Sequence, residues 1–177
     1  HAGMEPENGV SAIVAASKAI ADMTLGRIDE ETTANIGTIE GGRAINIVCD
    51  KVTLKGEIRS RDLGKLQKYT DDIVSRLESN CKEMGAEVEI DMVREYNSFT
   101  VDDDEPMLVK FKKTLEKLGI EYKEEHSGGG SDTNIIYNKG IKALTISSGM
   151  EKVHSANERI AIQNLETLEK LMLGLIS

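Results

Sequence analysis

The sequence predicts a mixed α/β fold in two parts, and three observations lead to that prediction. Residues 1–98 read as helix, strand, strand, helix, strand, which is a ferredoxin-like βαββαβ unit that lacks only its first strand. Residues 99–177 alternate helix, strand, helix, strand, helix with short connections, as α/β segments do. The pattern changes beyond Tyr96. A domain boundary is therefore expected near residue 98.

The first part begins with a helix over residues 10–23, where apolar residues recur at helical spacing after the cap candidates Asn8 and Gly9. The segment "TTANIGTIEGG", residues 32–42, is rich in β-branched residues and ends in a glycine turn, which predicts a strand. A second strand is predicted over residues 44–60. Its apolar alternation slips by one position near Asp50, which predicts a bulge or kink there.

The first part continues with the longest amphipathic helix of the chain. The positions of its largely apolar face step by three and four between Asp62 and Gly85, at Leu63, Leu66, Thr70, Ile73, Leu77, Cys81 and Met84. The segment "AEVEIDMV", residues 86–93, alternates apolar and acidic residues and predicts a half-exposed strand. The missing first strand of the ferredoxin-like unit would lie just before His1, so we expect the chain to be part of a longer protein.

The second part opens with a helix that sequence marks at both ends, by Pro106 and Gly119. Short strands are predicted over residues 120–125 and 141–148, on either side of a helix in "SDTNIIYNKG". An amphipathic helix over residues 160–175 closes the chain.

Composition excludes several classes of function. A formal net charge of -9 and a pI near 4.9 make the surface repel polyanions, which argues against nucleic-acid and anionic-membrane partners. No apolar run approaches the ~20 residues that span a bilayer. We expect a soluble, cytoplasmic protein. Cys49 and Cys81 lack the close spacing of a zinc or redox motif, so buried, reduced thiols are expected.

The glycine run in "HSGGGSD" is the first candidate for a functional site. A nucleotide P-loop needs Lys and then Ser or Thr after its last glycine, whereas Gly130 is followed by Ser131 and Asp132. The position between a predicted strand and a helix favours a tight turn where ligands bind in α/β sheets, or a turn that close packing requires. Two further candidates are His154, after a predicted strand, and Arg59, which could hold a carboxylate.

The order of the motifs points to a family. The segments "HAGMEPENGVSAI", "TANIGTIEGGRAINIV", "GEIRS", "SGGGSD" and "VHSANERI" resemble the zinc-dependent M20 metallopeptidases, and most of all their peptidase T-like, tripeptide aminopeptidase-like branch. This resemblance runs from residue 1 to about residue 165. It implies that residues 1–98 are the lid and dimerisation domain and that residues 99–177 are the C-terminal part of the catalytic domain.

The resemblance also implies a role for individual residues. His1 matches a lid histidine that reaches the partner subunit's active site and stabilises the oxyanion, and Asn46 matches a lid asparagine near bound substrate. Arg59 matches the arginine that holds a substrate carboxylate, and His154 matches the C-terminal metal ligand. The turn that lines the substrate site corresponds to Gly129, Gly130 and Ser131.

The same resemblance implies hydrolysis of short peptides by metal-activated water, with two zinc ions (cobalt or manganese being possible substitutes) and a homodimer formed through the lid. The family's other metal ligands and its general base lie upstream of His1, so the 177-residue chain alone is expected to be inactive. Three alternatives stay open. They are a non-catalytic dimerisation or peptide-binding module, a deacylase or carboxypeptidase of the same family, and a small-molecule regulatory domain built on the ferredoxin-like unit. The last would leave the glycine turn and His154 unexplained. Many relatives also carry proline at the position of Cys49.

Overall fold

The computed structural model describes residues 1–177 and divides them into two compact units, His1–Ser98 and Phe99–Ser177. The N-terminal unit contains a short 3-10 helix, Pro6–Asn8, and two α-helices, α1 (Ala12–Asp22) and α2 (Leu63–Glu83). Its sheet is formed by β1 (Gly26–Arg27), β2 (Thr32–Gly41) and β3 (Val52–Ser60).

The sheet of the N-terminal unit is antiparallel, in the order β1-β2-β3. Its register pairs Thr33 with Arg59 and Ile36 with Gly56, and an irregularity between Ile36 and Thr38 leaves Gly37 unpaired. The close approach at this point explains Gly56, because a Cβ there would lie 2.6 Å from the carbonyl oxygen of Asn35. This register places Arg59 of β3 directly opposite Thr33 of β2.

Helices α1 and α2 pack against each other, and both contact β3. The buried face of α1 consists of small residues, Ala15, Ala16 and Ala19, which allow the close approach of α2. At the end of α1, the Asp22 backbone carbonyl accepts a hydrogen bond from Arg76 at 2.7 Å, and the Asp22 carboxylate pairs with Arg76 at 3.0 Å and accepts from the Asn80 side-chain amide at 3.1 Å. Close packing of the alanines and the polar contacts of Asp22 at the end of α1 therefore stabilise the helix pair.

The C-terminal unit contains α3 (Pro106–Lys117), α4 (Asp132–Asn138), a hairpin of β4 (Met150–Glu151) and β5 (Arg159–Ile160), and α5 (Ile162–Ile176). Helices α3 and α5 pack on each other. The apolar core between them includes Leu108, Leu115 and Leu171.

The helices agree closely with the sequence prediction. The Asp62 side chain caps α2 by accepting the Lys65 N–H at 2.8 Å, and Gly85 ends it with φ of +71°. Pro106 begins α3 as expected. The cap of α1 differs from the prediction, because Ser11 accepts the Val14 N–H while Asn8 and Gly9 belong to the preceding turn. Both cysteines are free and buried, as expected.

The strand predictions were correct only where a partner strand is present. Residues 32–41 form β2, but the second strand begins at Val52 rather than at residue 44, so the slip near Asp50 is the point where the strand starts and not a bulge within it. The segments 86–93, 120–125 and 141–148 form no ladder within the chain. Their alternating pattern suits a strand, but a strand also needs a neighbour for its backbone hydrogen bonds.

None of the helices combines the length and the apolar character that a membrane span requires.

Candidate active site

In the N-terminal unit, the residue after His1 forms a hydrogen bond with Asn46. The backbone N–H of Ala2 donates to the Asn46 carbonyl oxygen at 2.9 Å, which joins the first residues to the turn between β2 and β3. The Nδ1 atom of His1 accepts the Gly3 N–H at 3.2 Å. Because Nδ1 is an acceptor, the neutral ring carries its proton on Nε2 and presents that N–H as a donor.

Arg59 lies near the end of β3 and is held by a neighbour two residues earlier on the same strand face. Its Nε and Nη2 atoms donate to the two carboxylate oxygens of Glu57 at 3.0 and 2.8 Å. This bidentate bond raises the pKa of the Arg59 guanidinium, with smaller contributions from the nearby Tyr96 and Glu95. Arg59 therefore stays charged, and its guanidinium is oriented by Glu57.

In the glycine turn before α4, neither backbone conformation nor packing within the chain requires glycine at positions 128 and 129. Neither Gly128 nor Gly129 has a left-handed φ. A Cβ at Gly128 would meet nothing within 4 Å, and one at Gly129 would only touch the Ser127 hydroxyl at 3.5 Å. Close packing within this chain is thus no reason for these glycines.

Ser131 occupies the N-cap position of α4. Its N–H donates to the Asn134 side-chain oxygen at 3.0 Å, and its hydroxyl lies 3.5 Å from the hydroxyl of Thr145. The end of the glycine turn is therefore fixed to the helix, while the glycines before it are exposed.

His154 lies in the connection between β4 and β5 and has φ of +62°, in the left-handed region. A non-glycine residue there costs about 1–2 kcal/mol, because Cβ crowds the next carbonyl oxygen. Lys152 shares this conformation with φ of +53°. Such outliers concentrate at functional sites, where neighbouring contacts hold them. The His154 N–H donates to the Glu158 carboxylate at 2.9 Å, and the residue is exposed.

An exposed imidazole suits zinc, which binds histidine nitrogen, cysteine sulfur and carboxylate oxygen. However, no group of three or more His, Cys, Asp or Glu side chains within residues 1–177 is placed to hold a metal ion. His154 therefore fits as a single ligand, and the chain by itself does not complete a site.

Sequence reasoning missed the partners of these residues. Glu57 could have been found from its position two residues before Arg59 on a strand, which places both on one face. Glu158 had no comparable signal, because its contact with His154 depends on a tight loop with two left-handed residues. Within the C-terminal unit, His154 and the glycine turn lie on separate loops, and no hydrogen bond joins them.

Two protein-family models match the chain, one in each unit. Residues 1–85 match the M20 peptidase dimerisation domain, and residues 99–171 match the M42 glutamyl aminopeptidase model. Two solved structures are similar over 99% of the chain. They are the aminopeptidase PepT from Bacillus cereus (41% identity, TM-score 0.84) and a tripeptidase from Staphylococcus aureus (40% identity, TM-score 0.89).

Residues 1–85 are therefore an M20 peptidase dimerisation domain, and the chain as a whole is similar to M20 aminopeptidases. The ferredoxin-like reading is confirmed to this extent: the helices and the antiparallel three-stranded sheet match the lid of the PepT structures. At the level of the fold alone, the chain is also similar to the YxeP protein of Bacillus subtilis, described as a dinuclear metal binding peptidase (19% identity, TM-score 0.70, 94% of this chain and 45% of that one).

The chain spans about half the length of the proteins that it matches. It covers 47% of the PepT chain and 47% of the tripeptidase chain. It is also 40% identical, over 99% of its length, to the uncharacterized protein YqjE of Bacillus subtilis, of which it covers 47%.

Proposed function

We propose that the full-length protein is a metal-dependent exopeptidase that cleaves short peptides in the manner of a tripeptide aminopeptidase. The observation that carries this proposal is the likeness to an aminopeptidase and to a tripeptidase at 40–41% identity over 99% of the chain. The match of residues 99–171 to a glutamyl aminopeptidase model supports an aminopeptidase over a deacylase or carboxypeptidase.

We further propose that residues 1–98 are the lid and dimerisation domain and that residues 99–177 are the C-terminal part of the catalytic domain. One family model ends at residue 85 and the other begins at residue 99. The boundary between the two compact units falls in the same stretch of chain, between Ser98 and Phe99. The dimerisation-domain match supports a homodimer through the first unit. A cytoplasmic location stays a prediction, and fractionation of cells that produce the full-length protein would test it.

The residues of this chain have separate roles in the proposed reaction. His154 would be one of the metal ligands, and the two bound zinc ions would activate the attacking water. His1 would donate its Nε2–H to the developing oxyanion, since its Nδ1 is already engaged by Gly3. Arg59, held by Glu57, would bind a carboxylate of the peptide, and Asn46 would contact the peptide beside His1.

The glycine turn would form the wall against which the peptide backbone lies. Gly129 leaves room for a close approach, the exposed Gly130 continues the same turn, and Ser131 anchors the turn to α4. Because no group of three or more His, Cys, Asp or Glu side chains is placed to hold a metal ion, we propose that residues 1–177 alone do not hydrolyse peptides.

The experiment that tests the proposed function is hydrolysis by the purified full-length protein before and after metal removal. We expect cleavage of a tripeptide with a free amino terminus, loss of activity after dialysis against a chelator, and recovery on addition of zinc, cobalt or manganese. Cleavage of the N-acetylated tripeptide or of an N-acyl amino acid in preference to the free tripeptide would favour the deacylase alternative. A protein that holds no metal and cleaves none of these substrates would leave the binding-module alternative.

Substitution of Gly129 tests the substrate wall separately. Alanine at this position is expected to lower kcat/KM of the full-length protein for a tripeptide by about ten- to a hundredfold, because a methyl group would displace the peptide. The unfolding midpoint should stay unchanged, since the new Cβ meets only the Ser127 hydroxyl. Gly128→Ala is the matched control. A Gly129→Ala protein with wild-type kinetics would show that the turn does not contact substrate.

A further inference from the structure

We propose that Glu158 is a positioning residue, which holds the backbone of His154 in its left-handed conformation and thereby aims the imidazole. This inference rests on the proposed function, in which His154 is a metal ligand. It also gives a physical reason for the second half of the motif "VHSANERI", in which only the histidine had a role.

The loop that carries His154 is closed at its base by the hairpin. The register pairs Met150 with Ile160 and Glu151 with Arg159. Arg159 also donates to the Glu151 carboxylate through Nε at 2.8 Å and Nη2 at 2.6 Å. Residues 152–158 thus begin and end at fixed points, and their conformation depends on contacts inside the loop.

Most hydrogen bonds within residues 152–158 do not involve His154. The Ser155 hydroxyl donates to the Lys152 carbonyl at 2.7 Å and accepts the Asn157 N–H at 3.2 Å, while the Glu158 N–H donates to the Ser155 carbonyl at 3.1 Å. The hydrogen bond that His154 itself makes runs from its N–H to the Oε2 atom of Glu158, at 2.9 Å. The residue with the unfavourable φ is therefore tied to the loop by the Glu158 carboxylate.

A charged acceptor on a backbone N–H gives a stronger hydrogen bond than a neutral one does. Without it, His154 is free to return to a more favourable φ, and the Cα–Cβ bond that carries the imidazole turns with the backbone. Residues that orient a metal ligand typically contribute ten- to a hundredfold to metal affinity. An effect of that size is expected for Glu158.

The test compares three variants of the full-length protein, Glu158→Ala, Glu158→Gln and the control Glu166→Ala. Glu166 is an exposed glutamate of α5 whose side chain forms no hydrogen bond or ion pair. Zinc content is measured after dialysis and zinc affinity by competition with a chelator. Hydrogen exchange of the peptide that contains residues 152–158 is followed in the metal-free protein, with α5 and the β2–β3 pair as reporters of an intact fold.

Glu158→Ala is expected to bind zinc about ten- to a hundredfold more weakly and to exchange faster only in the loop. Glu158→Gln retains an oxygen that accepts the His154 N–H, so it should stay within about threefold of wild type. Equal losses in both variants would mean that Glu158 is itself a ligand and would overturn the positioning role. Wild-type affinity and exchange in Glu158→Ala would also overturn it, with the proposed function intact. A wild-type protein without metal would overturn the proposed function and this inference together.

Discussion

Replacing His154 by asparagine in the full-length protein is expected to release metal and to lower tripeptide turnover by about a thousandfold or more. Lewis-acid stabilisation by a bound metal contributes several kcal/mol, and each 1.36 kcal/mol is about tenfold in rate. Asparagine tolerates a left-handed φ but is not among the usual zinc ligands, so the loop should keep its shape. Metal content and kcat are the measurements.

The contrast that separates the two histidines is His1→Ala. This variant should keep its full metal content, while kcat falls by about a hundred- to a thousandfold, as for loss of one oxyanion donor. The His1 ring accepts a hydrogen bond from the Gly3 N–H and belongs to no cluster of metal-binding side chains. Its removal should therefore leave the metal bound. Metal retained in His154→Asn, or metal lost in His1→Ala, would contradict the assignment of roles.

Replacing Gly56 by alanine is expected to lower the free energy of unfolding by about 2–3 kcal/mol, within the range for overpacked sites. The new Cβ would lie 2.6 Å from the Asn35 carbonyl oxygen and 2.9 Å from the Ile36 Cδ1 atom. The carbonyl belongs to the paired strand β2 and cannot move without breaking the ladder beside the irregularity at Gly37. Urea unfolding of the full-length protein, followed by circular dichroism, measures the change.

The matched control for Gly56 is Gly128→Ala, which adds the same methyl group where it meets nothing within 4 Å. Its stability should equal that of the wild type or exceed it slightly, because alanine restricts the unfolded chain more than glycine does. A Gly56→Ala protein as stable as this control would show that β2 and β3 do not pair in the register described.

The helices and the family could be predicted from the sequence, because both depend on local information. A helix satisfies its backbone hydrogen bonds four residues away, so spacing and end signals such as Asp62, Gly85 and Pro106 were enough to place α2 and α3. The ordered motifs indicated an M20 peptidase without knowledge of any contact. The individual site roles inferred from them stay predictions.

Only the tertiary structure decided which extended segments are strands and how the candidate residues are held. The segments 86–93, 120–125 and 141–148 have the alternating pattern of strands but no ladder within the chain, since pairing depends on a neighbour that local sequence does not specify. The bidentate hydrogen bond from Arg59 to Glu57 became visible only once the side chains of β3 were placed. The left-handed backbone of His154 and its bond to Glu158 required the closed loop between β4 and β5, because contacts across a loop override the backbone preference of a single residue.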